Sequence, residues 1–347
     1  MSDATRQANK EPDGTKKSGT TDDKLKQPKK KPPKVTTYLL HNTDIAELNR
    51  TFYQAYDENF LYSKALALTY IAYELGEQQE HFKQQVEKMV GTHEDINDKF
   101  FESLRAEIYF TAIHQFECLF SLLMALYQPD LPHWFYLSEY KPGEMRDAAE
   151  LFVNREIGQL TGFKMSKRQF VSHAIYSQFT LTEIPEERWN ENLDNISWLL
   201  DRIAMQYIAA SEYQAGEYNA YKHGLRVMTG PSVISGQMMS QFENSPVGRN
   251  FLIAASTDAF RFLQMEKDEQ QNGKIVHHVV KHFNPRESFY FICKLRQMLE
   301  MVKRTRLAHL RGETLNALNT FFDLGMVQMN VTVLNNWVKP EINHEAA

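Results

Sequence analysis

The fold of this chain is decided by the stretch ISWLLDRIAMQYIAASEYQAGEYNAYKHG, residues 196–224. Its apolar residues recur at steps of three and four, which is the period of one buried helix face. These residues are Ile196, Leu199, Leu200, Ile203, Tyr207 and Ala210. Pro185 followed by Glu186 is typical of a helix start, and Gly224 is typical of a C-terminal cap. The stretch therefore predicts one long helix that begins at Glu186 and ends at His223.

The C-terminal end of this helix carries a cluster of polar side chains. Asn219 lies three residues before Lys222 and four before His223, so the three side chains can share one helix face. His223 falls in the last turn, where unpaired carbonyls carry partial negative charge and favour a protonated imidazole. The cluster supplies acid–base groups, and the same residues also suit the ordinary capping of a helix end.

The remaining sequence predicts a mainly α fold, a multi-helix bundle with a small β-hairpin insertion between two long helices. Thr92, with Asp95 three residues on, resembles a capping box that opens a helix. Asn284 before Pro285 marks the start of the second long helix, which is expected to end at Gly312. The insertion covers residues of about 225–283, with strands at 225–228, 259–265 and 274–283. A further helix, 314–324, is predicted near the C-terminus.

Charge divides the chain into a tail and a body. Residues 1–37 hold ten Lys or Arg and five Asp or Glu, a net charge of +5, so the total of −5 leaves −10 for the other 310 residues. The tail has almost no large apolar groups, which predicts disorder, and it could touch RNA, DNA or an acidic partner or remain simply solvated. Residues 38–347 are expected to form a single mostly helical domain. Its acidic charge argues against a general nucleic-acid-coating protein.

Neither a signal peptide nor an apolar run long enough to span a bilayer is evident, so we expect a cytoplasmic protein with no membrane contact. Cys118 and Cys293 lack CxxC spacing and are expected to be buried thiols. No Walker A, GxGxxG, GxSxG or HExxH motif is present, and no cofactor or metal is expected. His278 and His282, four apart on a strand, would lie roughly 13 Å from each other, too far to share a metal ion.

Two short segments resemble the HEPN superfamily, small all-α domains found in toxins, antiphage systems and RNA-processing proteins. The first is YNAYKHG, residues 218–224, which is similar to the Asn-x-x-Lys-His-Gly helix end of some divergent members. The second is the cationic cluster KRTRLAH, residues 303–309, where Arg304 and His309 match the family's Arg-x4-His pattern. The same spacing also occurs at Arg168 and His173.

The resemblance implies metal-independent RNA cleavage by a homodimer, in a bacterial defence or stress system. On that basis His309 would be the acid–base group and Arg304 would stabilise charge on the phosphate. If the site is instead at the earlier helix end, His223 takes the acid–base role and Lys222 supplies the charge, beside Asn219. The alternative function is a non-catalytic helical module that binds a protein partner or senses a ligand. His114 and Glu117, three apart on a predicted helix, are a further polar pair that more often makes a structural contact.

Overall fold

The structure, a computed structural model, describes residues 41–73, 78–91, 96–127, 132–176, 185–211, 217–222, 227–238, 249–268 and 273–313. The described residues lie in one compact unit that begins at His41. The helices are α1 (Asn42–Ala55), α2 (Phe60–Tyr73), α3 (Gln79–Val90), α4 (Asp98–Ala125), α5 (His133–Glu139), α6 (Pro142–Val153), α7 (Ile157–Thr161), α8 (Lys167–Tyr176), α9 (Glu186–Ala210), α10 (Glu217–Lys222) and α11 (Pro285–Arg311). The strands are β1 (Val227–Met238), β2 (Arg249–Asp268) and β3 (Gly273–His282). The mainly α prediction is confirmed, whereas the predicted tail and the helix at 314–324 lie outside the described residues.

α4 is the central helix, and it packs against α2, α9 and α11. Asn97 caps it, because Oδ1 accepts hydrogen bonds from the backbone nitrogens of Lys99 at 3.0 Å and Phe100 at 3.3 Å. α4 therefore begins at Asp98, after the start predicted near Thr92, which lies outside the described residues. α4 is the one described helix that is long and apolar enough to cross a membrane. However, 89% of its most apolar window is buried, as in the core helix of a folded domain.

The buried face predicted for α9 is confirmed, but its predicted end is wrong. α9 ends at Ala210, and a separate short helix, α10, begins at Glu217. At the end of α9 the Ser211 hydroxyl donates to the Tyr207 carbonyl at 2.6 Å. The Ser211 backbone nitrogen donates to the same carbonyl at 2.8 Å, so both donors of Ser211 close the last turn of α9. Asn219 and Lys222 of the polar cluster are therefore on a six-residue helix and not at the end of a long one, while His223 lies outside the described residues.

The predicted β insertion is confirmed: β2 and β3 form the predicted hairpin, and β1 adds to it to give a three-stranded antiparallel sheet with the order β1-β2-β3. Phe262 of β2 pairs with Val227 of β1 and with Val279 of β3. Phe262 and Val279 are buried in the main hydrophobic core, so one face of the sheet packs on the helices. β3 matches its predicted bounds to within one residue, whereas β1 and β2 extend beyond theirs because they pair with each other, which local patterns do not encode.

The start and end of α11 are confirmed by its caps. Asn284 Oδ1 accepts hydrogen bonds from the backbone nitrogens of Arg286 at 3.0 Å and Glu287 at 3.2 Å, and Gly312 ends the helix with a φ of 67°. Near its other end, Thr305 donates to the Ile175 carbonyl at 2.9 Å, at the end of α8. The last carbonyls of a helix have no donor within that helix, and Thr305 supplies one to α8. Thr305, which belongs to the cationic cluster 303–309, therefore stabilises the packing of α11 on α8.

The imidazole of His133 makes the stability of this core pH-dependent. Its Nδ1 lies 2.8 Å from the Tyr53 hydroxyl, and burial, with the nearby Arg306 cation, lowers the pKa of His133 from 6.5 to about 4. Between pH 6.5 and about pH 4, His133 is protonated in the unfolded chain and neutral in the folded one. A falling pH therefore favours unfolding in this window. We expect this group to remove roughly 1.4 kcal/mol of stability per pH unit in that window. Urea unfolding across the window should give a shallower pH slope for His133→Gln, and an equal slope would contradict the assignment.

Candidate functional site

One stripe of polar side chains runs along the apolar helix α4. Glu107, Thr111, His114 and Glu117 are spaced four, three and three residues apart, so they lie on one face. Every residue from 106 to 125 is described, and within this stretch His114 alone is exposed. The buried part of the central helix, residues 106–125, is therefore interrupted by one exposed imidazole.

Polar contacts to this stripe hold α10 in place. The Tyr218 hydroxyl donates to Glu117 Oε2 at 2.8 Å, and the Tyr221 hydroxyl donates to Glu107 Oε2 at 2.6 Å. Lys222 Nζ lies 3.5 Å from Glu117 Oε2. Isolated helices of this length are not stable in water, so α10 depends on these contacts for its position.

A cavity of about 420 Å³ lies between α4 and α10. Its ionisable lining groups are Lys64, Glu107, His114, Glu117 and Lys222, among aromatic side chains. Lys64 contacts Glu107 in an ion pair, so each of the two carboxylates has a lysine beside it. The charges of the cavity therefore nearly cancel.

Glu117 is the deepest charged group of this site, with 4% of its surface exposed. Besides Tyr218 and Lys222, it accepts a hydrogen bond from the Tyr207 hydroxyl of α9 at 3.3 Å. Burial, and then the Glu117 charge, raise the pKa of both tyrosines, so they remain donors at neutral pH. Tyr207, Tyr218 and Lys222 together replace the hydrogen bonds to water that the carboxylate loses on burial.

Lys222 and His114, two of the three basic side chains of the cavity, are more accessible to solvent than Glu117. Lys222 is 37% exposed, and its Nζ lies 4.0 Å from the centre of the Tyr218 ring. Partial burial, with Lys222 and Lys64 nearby, lowers the pKa of His114 despite the opposing charges of Glu117 and Glu107. The imidazole is therefore neutral at pH 7.

A second buried ion pair fixes the first residue of α10. The Glu217 side chain is fully buried, and it contacts Lys281 of β3 and accepts a hydrogen bond from the Tyr109 hydroxyl at 2.6 Å. Its other oxygen, Oε2, is buried without a hydrogen bond in the described part of the chain. This contact joins α4, α10 and the sheet behind the cavity.

The sequence-predicted site residues are divided between two places. Lys222 lines the cavity, Asn219 lies on α10, and His223 follows α10 outside the described residues. Arg304 and His309 are exposed on α11, whose C-terminal half contacts α8, whereas α10 contacts α9, β1 and β2. Five residues apart on a helix, these two side chains point about 140° from each other. Neither of them lines the cavity.

Glu107, Lys64 and the hydroxyls of Tyr218 and Tyr221 are site groups that the sequence reasoning missed. The spacing of four from Glu107 to Thr111, followed by the pair at 114 and 117, was the available signal. Among the described residues, no group of three or more His, Cys, Asp or Glu could hold a metal ion. Comparison of the chain with protein-family models, with curated proteins and with solved structures finds no match.

Proposed function

We propose that this chain is a metal-independent RNase that resembles the HEPN superfamily, active as a homodimer, with its site at the cavity between α4 and α10. The observation that carries the proposal is that Lys222, from the Asn-x-x-Lys-His-Gly segment, lies at a cavity that also holds His114 and two carboxylates. RNA cleavage by its own 2′-hydroxyl needs a base and a cation near the phosphate.

Lys222 suits the role of the cation. Its amine is partly exposed, and its 3.5 Å separation from Glu117 is long for a charge-assisted hydrogen bond, so it can turn toward a phosphate oxygen. Arg304 and His309 are a second candidate site, since both are exposed and neither side chain has a hydrogen bond or ion pair within the described ranges. The roles of Asn219 and His223 rest on the resemblance.

The test is cleavage of a labelled single-stranded RNA by the full chain in EDTA. We expect the wild-type protein to cleave, and Lys222→Gln to lose roughly 10²–10³-fold in rate, the usual effect of removing one group that stabilises transition-state charge. Loss of activity in His223→Ala alone assigns catalysis to the α10 site, and loss in His309→Ala alone assigns it to α11.

Two variants control for nonspecific charge effects. Lys88→Gln removes an exposed lysine from α3, and Arg168→Ala breaks the other Arg-x4-His spacing at an exposed ion pair with Asp194. Both should cleave at the wild-type rate. Absence of cleavage by the wild-type protein, or equal losses in the controls and in Lys222→Gln, would contradict the proposal.

A ligand-sensing role is the second candidate function. It is favoured by the internal pairing of both cavity carboxylates with lysines, which leaves the cavity nearly neutral. A panel of small polar metabolites should then contain one that raises the melting temperature of the wild-type protein but not that of Lys222→Gln.

A further inference from the structure

His114 differs from the two carboxylates of the cavity and from their lysines in its bonding. Glu107 and Glu117 accept hydrogen bonds from tyrosines and have lysines beside them. The imidazole of His114 lines the same cavity, is exposed, and has no hydrogen bond or ion pair within the described ranges. An exposed imidazole in the buried part of α4, without a side-chain partner among the described residues, is available to a ligand.

We propose that His114 is a catalytic residue that accepts the proton of the attacking 2′-hydroxyl, an inference that rests on the proposed RNase function. The 2′-oxygen forms a bond to the adjacent phosphorus as its proton passes to an imidazole nitrogen. The P–O5′ bond breaks, and the 5′-oxygen leaves with a proton from water. The products are a 2′,3′-cyclic phosphate and a 5′-hydroxyl, and Lys222 stabilises the charge that develops on the phosphate oxygens.

The other groups of the cavity suit this step less well. Glu117 is buried and already accepts two tyrosine hydrogen bonds, and Glu107 is held by Lys64 and Tyr221. Cys118, the neighbour of Glu117, remains a thiol, because burial raises its pKa to about 12. A neutral imidazole at the solvent-exposed part of the stripe is ready to take a proton at pH 7.

The test compares wild-type protein, His114→Gln and the matched control His81→Gln, which changes an exposed histidine of α3. We expect His114→Gln to lower kcat/KM for RNA cleavage by roughly 10²–10⁴-fold, with an unchanged melting temperature. The wild-type pH profile should rise with pH and level off below the ordinary histidine pKa of 6.5, and His114→Gln should lack this rise. His81→Gln should keep both the rate and the profile.

The possible failures can be told apart. If the wild-type protein does not cleave RNA, the proposed function fails and this inference fails with it. If the wild-type protein cleaves but His114→Gln retains its rate, or keeps the same acidic rise in the pH profile, His114 is not the proton acceptor and the RNase function stands. Cleavage of an RNA with a single 2′-deoxy nucleotide at the scission site would also overturn the inference, because no 2′-hydroxyl is then present.

Discussion

Replacement of Lys281 by methionine should destabilise the fold by about 3–5 kcal/mol, because it leaves the fully buried carboxylate of Glu217 without its cation. Only the Tyr109 hydroxyl would then remain as a donor to that carboxylate in the described part of the chain. The methionine side chain has a similar length, so the lost packing is small compared with the lost charge compensation. Urea unfolding followed by circular dichroism measures the change in the free energy of unfolding.

A double variant separates the uncompensated charge from any packing defect. When Glu217→Leu is combined with Lys281→Met, both charges are gone, and we expect most of the lost stability to return, because an apolar pair often replaces a buried ion pair without loss. Lys83→Met is the control, since Lys83 pairs with the 79% exposed Glu80 and should change stability by less than about 1 kcal/mol. A double variant as unstable as Lys281→Met would contradict this account.

The elements predicted most accurately from the sequence are those whose signals are local. The start of α11 is marked by two adjacent residues: Asn284 caps the helix, and Pro285 occupies its first position. The buried face of α9 follows from a period that can be read within one helix. These features depend on few distant contacts, so one sequence is enough to predict them.

The candidate site could be predicted only in part, because distant segments build it. Tyr218 meets Glu117 across 101 residues and Tyr221 meets Glu107 across 114, and no local pattern connects these positions. The sequence predicted Lys222 as a candidate site residue at the end of one long helix, and the structure places it at the cavity on a separate short helix. The position of α10 is set by polar contacts to α4, which appear only when the chain has folded.

Replacement of Glu117 by alanine tests whether the buried carboxylate holds α10 on α4. The change removes the acceptor of Tyr207 and Tyr218 and the counter-charge of Lys222, so we expect a loss of about 3–5 kcal/mol in the free energy of unfolding. Glu117→Gln retains one acceptor oxygen and should lose less. Glu80→Ala makes the same chemical change at an exposed position and should have little effect.

The stability loss should be accompanied by a local change in α10. Because α10 is too short to be stable without its contacts, its backbone amides should exchange with deuterium faster in Glu117→Ala than in the wild-type protein, while the amides of α11 remain protected. Glu80→Ala should leave exchange in both helices unchanged. If α10 exchanges at the wild-type rate in Glu117→Ala, then Tyr221 and Glu217 suffice to hold the helix, and Glu117 does not position Lys222 at the cavity.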